Sequence, residues 1–152
     1  MHRVLFICTA NICRSPMAMG LLRRRTATQP GQWIIESAGT WTEGGEPAAL
    51  KTMQVLKNRG IDLENFESRI LTDELLQAFN LILTMERGHK EAIRVEFPEL
   101  ANRVFLLSEM LNQDYDIEDP IGKSFSAFEE TAKEIDEILV KGFRKIYELS
   151  EG

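Results

Sequence analysis

Near the start of the chain, Arg3-Val4-Leu5-Phe6-Ile7 is a short β-rich run with four consecutive apolar residues and no alternation. That is the pattern of a strand covered on both faces, as in the middle of a parallel α/β sheet. It is expected to be a central strand. The run stops at Cys8, and a helical pattern begins at Ser15-Pro16, with Ser15 read as the N-cap and Pro16 as the first helical residue. Met17, Leu21 and Leu22 give that helix an apolar face up to about Thr28. Between strand and helix lies Cys8-Thr9-Ala10-Asn11-Ile12-Cys13-Arg14-Ser15-Pro16, which places a cysteine and an arginine around one short loop.

Strand and helix patterns alternate through the rest of the chain. Trp33-Ile34-Ile35-Glu36 reads as a second strand, and Ser37-Ala38-Gly39-Thr40-Trp41 as a flexible loop continuing through Gly44-Gly45 to Pro47. Pro47 is expected to start a helix carrying Leu50, Met53 or Gln54, and Leu56 and ending near Asn58-Arg59-Gly60. Thr72-Asp73-Glu74-Leu75 resembles a cap before a short helix that leads to a third strand, Leu81-Ile82-Leu83-Thr84. A helix through His89 to Val95 follows, then a fourth strand, Val104-Phe105-Leu106-Leu107. Phe125, Phe128, Ile135, Ile138, Leu139, Phe143 and Ile146 recur at helical spacing and predict one terminal helix. With 152 residues and no internal repeat or linker, the expectation is one doubly wound α/β domain over residues 1–152.

The formal charge of −6 argues against binding nucleic acid or an anionic membrane through a general basic face. An anionic substrate would then be held by a local cationic site. Met1-His2-Arg3 leads straight into the first strand, leaving no room for a signal peptide, and no apolar run approaches a membrane span. Only Cys8 and Cys13 are present, so a disulfide scaffold is excluded and a reduced compartment fits best. A cytoplasmic monomer is the expectation.

A loop between a buried strand and a helix N-terminus aims several backbone N–H groups at one point, and the helix dipole adds potential favourable to an anion. Thr9, Ala10, Asn11, Ile12, Cys13 and Arg14 would supply that phosphate-sized cradle. The same potential favours the thiolate form of Cys8 and makes it a nucleophile. The planar guanidinium of Arg14 can take two phosphate oxygens in fork geometry, which lysine could not. The Ser15 hydroxyl would lie near the Cys8 sulfur and stabilise it as a leaving group. The competing reading is that Cys8 and Cys13 are small core residues and Arg14 a surface cation. A zinc site would have to use two cysteines and the distant His2 and His89, a poor ligand set.

Cys8 to Pro16 resembles the phosphate loop of the low-molecular-weight protein tyrosine phosphatases, Cys-x5-Arg-Ser placed near the N-terminus. The resemblance spans nearly the whole chain and includes Ser37-Ala38-Gly39-Thr40, Ser68-Arg69, Leu71-Thr72-Asp73 and Asp119-Pro120. It implies a four-stranded parallel sheet in a flavodoxin-like 2-1-3-4 order, flanked by helices on both faces. It also implies hydrolysis of a phosphorylated protein through a phosphocysteine, with inorganic phosphate as product and neither metal nor cofactor required. From the residues alone, the general acid could be Asp114, Asp116, Glu118 or Asp119, all in one long loop, with Pro120 restricting Asp119 to an extended backbone. The resemblance selects Asp119. By the same likeness, Asn11 takes a left-handed backbone conformation braced by Ser37, and Cys13 forms a reversible disulfide with the oxidised Cys8. Simple packing of Cys13 beneath the loop is the other reading. Eukaryotic members carry a loop histidine in the bracing network, and Phe66-Glu67-Ser68-Arg69 has none here, so another group must brace Asn11.

Substrate choice divides within the family. Ile12 matches its tyrosine-directed members, whereas the bacterial protein-arginine phosphatases place threonine there. Ile121-Gly122 after Asp119-Pro120 lacks the usual aromatic wall and looks closer to the arginine-directed pattern. Trp41 could supply the wall from the opposite loop, with Ile12 and Ile121, or could cover the sheet edge. Arsenate reductases on the same fold imply additional cysteines, which are missing. A silent phosphate- or nucleotide-binding module, with flavin binding as a variant, would have no need for Cys8 and Asp119. Arg23-Arg24-Arg25 reads as a solvated complement to the helix dipole, Met19 as an exposed apolar contact near the site, and His89 as a surface helix residue.

Overall fold

The computed structural model describes residues 1–152. Strand β1 runs from His2 to Cys8, and its Val4, Leu5, Phe6 and Ile7 are completely buried. Because side chains alternate across a strand, Val4, Phe6 and Cys8 enter one apolar cluster and Leu5 and Ile7 enter another on the opposite face. Around it lie β2 (Trp33–Gly39), β3 (Leu81–Thr84) and β4 (Val104–Leu106), all parallel, in the order β2-β1-β3-β4. Helices α1 (Arg14–Arg25), α2 (Leu50–Lys57), α5 (Phe125–Lys141) and α6 (Phe143–Ser150) enclose the larger cluster. The smaller cluster is covered by α3 (Asp73–Gln77), α4 (Arg87–Glu96) and the 3-10 segment Pro98–Arg103. The chain thus forms the expected doubly wound α/β sheet.

Several boundaries differ from the sequence-based expectations. The first helix starts at Arg14 with Cys13 as N-cap, so Ser15 is not the cap and Pro16 is its third residue. No side chain caps this end. The amides of Arg14 and Ser15 therefore have no intrahelical acceptor. Ser37-Ala38-Gly39 is strand rather than loop, because its backbone pairs with Phe6, Ile7 and Cys8 of β1. Pro47 does not open a helix: the chain stays extended to Ala49, whose N–H donates to the Ile12 carbonyl at 2.9 Å, and α2 begins at Leu50. Leu107 belongs to a 3-10 segment, Leu107–Leu111, rather than to β4.

The terminal helix is two helices broken at Gly142. A Cβ there would lie 2.8 Å from Met110 Cβ and 2.9 Å from the Ile138 carbonyl oxygen, so only glycine fits that approach. The break turns Ile146 back into the core and Tyr147 against His2, whose ring also stacks on Trp33.

The order β2-β1-β3-β4 makes the chain leave β1 on one side for β2 and return on the other for β3. The C-terminal ends of β1 and β3 therefore flank the crevice where doubly wound sheets bind ligands. Cys8 ends β1, and Met85-Glu86 follows β3 directly.

Candidate active site

Residues 9–13 form the turn from β1 into α1, with Arg14 opening the helix. Asn11 has φ = 60°, the left-handed region that asparagine tolerates better than most residues. It is fully buried, and its amide is used completely. Nδ2 donates to Ser15 Oγ at 2.8 Å and to Ser37 Oγ at 2.9 Å, while Oδ1 accepts from the Arg69 backbone N–H at 3.0 Å. One partner of Asn11 is thus a main-chain amide, itself held because Arg69 Nε donates to the Ser37 carbonyl at 3.1 Å.

Ser15 Oγ lies 2.9 Å from Cys8 Sγ. This hydroxyl accepts from Asn11 and keeps its own proton, so it can donate to the sulfur when Cys8 is a thiolate. Cys13 is equally buried, but its thiol is pushed up to about 12, first by burial and then by negative charge at Asp119 and Cys8. Both cysteines are free. Burial and charge outweigh the Thr52 hydroxyl beside the Cys13 sulfur, whereas the Cys8 sulfur has Ser15 Oγ at 2.9 Å.

Arg14 is among the largest fully buried side chains, at 1 % exposure. A buried guanidinium needs partners to offset its desolvation. Nη1 donates to the Ile117 carbonyl at 2.6 Å and pairs with Glu86 Oε2 at 2.6 Å, and Nη2 lies 3.6 Å from Asp119 Oδ2. The other carboxylates of the long loop are committed elsewhere. Asp114 and Asp116 lie against Arg87, and Glu118 pairs with Lys123. Asp119 Oδ1 accepts from the Ile121 N–H at 3.1 Å, an Asx turn that holds the carboxyl toward Arg14.

Two flanks of the loop carry exposed apolar side chains. Trp41 is 82 % exposed, and its backbone N–H donates to the Thr9 carbonyl at 2.9 Å, so it stands beside the loop and covers no sheet edge. Ile121 is exposed on the Asp119 side, and Ile12 is half-buried between the loop and Ala49. Met19, by contrast, is buried, with its sulfur 3.5 Å from Ser37 Oγ, and offers no exposed contact. Arg23 and Arg25 are not merely solvated: Arg23 binds the Ile35 carbonyl and Glu36, and Arg25 makes a fork contact with Asp136. They lie at the far end of α1 from Cys8.

Sequence reasoning missed Glu86 and misplaced His89. His89 is 7 % exposed, and its Nε2 lies 2.9 Å from Thr9 Oγ1. The signal that could have found both is position: Glu86 and His89 open the first turn after β3, on the crevice side of a parallel sheet.

A cysteine and a buried arginine around one strand-to-helix loop define a class of proteins that hold an oxyanion against a thiol nucleophile. A family model described as low molecular weight phosphotyrosine protein phosphatase matches residues 3–149. The probable low molecular weight protein-tyrosine-phosphatase EpsP of Ralstonia nicotianae is 39% identical over 132 residues, 87% of each chain. The protein-arginine-phosphatase of Geobacillus stearothermophilus is 33% identical over 139 residues, 91% of each. The solved low molecular weight protein tyrosine phosphatase of T. tengcongensis superposes with a TM-score of 0.90 at 34% identity, covering 95% of this chain and 99% of that one. The chain belongs to the low molecular weight phosphotyrosine protein phosphatase family, a family of hydrolases. No helix is long and apolar enough to cross a membrane.

Proposed function

We propose that residues 1–152 form a single catalytic domain that hydrolyses phosphotyrosine in proteins through a phosphocysteine. The observation that carries this reading is the Ser15 hydroxyl 2.9 Å from Cys8 Sγ, on a loop whose other end holds the buried Arg14. A pure anion site would have no use for a sulfur with its own donor.

In the first step the Cys8 thiolate forms an S–P bond while the P–O bond to the leaving group breaks, and Asp119 passes its proton to the departing oxygen. In the second, Asp119 as carboxylate takes a proton from water, whose oxygen attacks phosphorus. The S–P bond breaks, phosphate leaves, and the Ser15 O–H stabilises the returning thiolate. The amides of residues 9–14 and the Arg14 fork hold the equatorial oxygens in both steps, so catalysis is positioning plus electrostatic stabilisation. Asn11 and Ser37 brace the loop and Cys13 serves as resolving thiol when Cys8 is oxidised, a role that suits a reduced cytoplasmic compartment. All these groups come from one chain, so a monomer suffices.

Trp41, Ile12 and Ile121 supply an apolar rim suited to an aromatic ring. The second reading, a protein-arginine phosphatase, is favoured by Ile121-Gly122 in place of an aromatic pair and by the relative of that name. The deciding experiment measures phosphate release from phosphotyrosine and phosphoarginine peptides, with Cys8→Ser as blank. Preference for phosphotyrosine supports the rim as the selector, and preference for phosphoarginine moves selection to the 120s loop. Release at the blank level from both overturns the phosphatase reading.

A further inference from the structure

No step of the reaction above uses His89, yet it is almost wholly buried beside the phosphate loop. It occupies the third position of α4 and reaches back over the helix start, where its Nδ1 accepts the Glu86 backbone N–H at 3.2 Å. A ring nitrogen that accepts carries no proton, so the neutral imidazole holds its proton on Nε2. That N–H donates to Thr9 Oγ1 at 2.9 Å. Protonation would turn Nδ1 into a second donor facing the Glu86 N–H. Burial lowers the His89 pKa from its ordinary value and so favours the neutral ring. Glu86 on the same turn and Asp116 and Asp119 from the long loop oppose that shift, and Arg14 from α1 reinforces it.

Thr9 is the first residue after the nucleophile. Its β-branched side chain is stiff about χ1, so fixing the hydroxyl fixes the side chain relative to the backbone that begins the ring of amides. Glu86 completes the arrangement, because its backbone sets the histidine tautomer while its carboxylate pairs with Arg14. The first turn of α4 therefore grips the loop at both ends. A preorganised ring of donors binds an oxyanion without reorganising when the anion arrives.

We propose that His89 is a positioning residue: as the Nε2–H imidazole it anchors the Thr9 hydroxyl and holds the first peptide after Cys8 in the arrangement that receives a phosphoryl group. The inference rests on the phosphatase reading for its catalytic consequence, but its effect on anion affinity does not require turnover.

The test compares His89→Asn, His89→Gln, Thr9→Val and the Thr9→Val/His89→Asn pair. The readouts are the Kd for inorganic phosphate by calorimetry, kcat and KM for p-nitrophenyl phosphate, and urea midpoints. Asparagine offers an acceptor to the Glu86 N–H without reaching Thr9, whereas glutamine carries an N–H out to the position of Nε2. We expect His89→Asn and Thr9→Val each to weaken phosphate binding and kcat/KM about tenfold, the upper end for one lost hydrogen bond between neutral groups. His89→Gln retains most of both, and the double variant is no worse than either single one. Wild-type behaviour of His89→Asn, equal loss in Asn and Gln, or additive losses in the double variant would reduce His89 to a helix cap and overturn the proposal. If His89→Asn does not fold, Thr9→Val decides alone, and unchanged phosphate affinity there overturns the proposal. Phosphate binding without turnover in the wild type removes the phosphatase reading and leaves the affinity comparison standing. A wild type that binds no phosphate removes both.

Discussion

Replacing Asn11 isolates what holds the loop from Cys8 to Arg14 in shape. The side chain is fully buried and makes three hydrogen bonds, at 2.8, 2.9 and 3.0 Å, to groups from α1, β2 and the segment before α3. Asn11→Ala removes all three, and a net loss of about 1 kcal/mol for each is typical. Alanine at φ = 60° adds about 1 kcal/mol of backbone strain that glycine would not carry. Asn11→Ala should therefore lower unfolding free energy by about 4 kcal/mol and Asn11→Gly by about 3, a large share of the roughly 5–15 kcal/mol available to a domain. Urea unfolding followed by fluorescence of Trp33 and Trp41 measures both, with midpoint differences converted at a common slope. Asn11→Asp separates bracing from charge. It keeps the acceptor for the Arg69 N–H but draws the Ser15 proton away from Cys8, so it should lose more activity than stability. If the alanine and glycine variants both lie within about 0.5 kcal/mol of wild type, the brace is incidental. If glycine is the less stable of the two, the left-handed conformation is not what asparagine was placed there to hold.

Gly39→Ala should distort the same loop from below, because the new Cβ would lie 2.6 Å from the Thr9 carbonyl oxygen and 3.1 Å from Asn11 Cβ. A cost of about 1–3 kcal/mol and a clear fall in kcat/KM are expected, whereas Gly88→Ala, with no atom within 4 Å of its Cβ, serves as the neutral control in the same assays. Asp119→Asn keeps the shape but cannot donate or take the proton, so kcat on phosphopeptides should fall by about 10²–10⁴, less for a substrate with a good leaving group. A loss confined to KM would instead give Asp119 a binding role. Cys13, with its thiol held up near 12, reacts only through its minority thiolate at neutral pH. Formation of the Cys8–Cys13 disulfide after peroxide treatment should therefore speed up about tenfold per pH unit between about pH 7 and 9, as mass spectrometry of alkylated peptides can follow. A flat rate over that interval would mean that Cys13 is not the attacking thiol.

Much of this fold is legible in the local pattern. The apolar run of β1, the runs of β3 and β4 and the periodic face of α5 announce themselves because burial on both faces, or on one helical stripe, is written directly in residue order. Where local and long-range preferences conflict, the sequence misleads. Ser37-Ala38-Gly39 has little strand propensity of its own, but pairing with β1 makes it strand, and Pro47 does not start a helix because Ala49 keeps an extended backbone, φ −54° and ψ 141°, on its way past Ile12.

The sequence itself placed the cysteine, the amides and the arginine together, because they lie within one strand-to-helix turn from Cys8 to Arg14. Only the tertiary structure decided the supports: Glu86 on Arg14, His89 on Thr9 and the Arg69 amide on Asn11. These partners are tens of residues away along the chain. They meet because a parallel sheet brings the C-terminal ends of its strands to one edge, and residue order records no such distance.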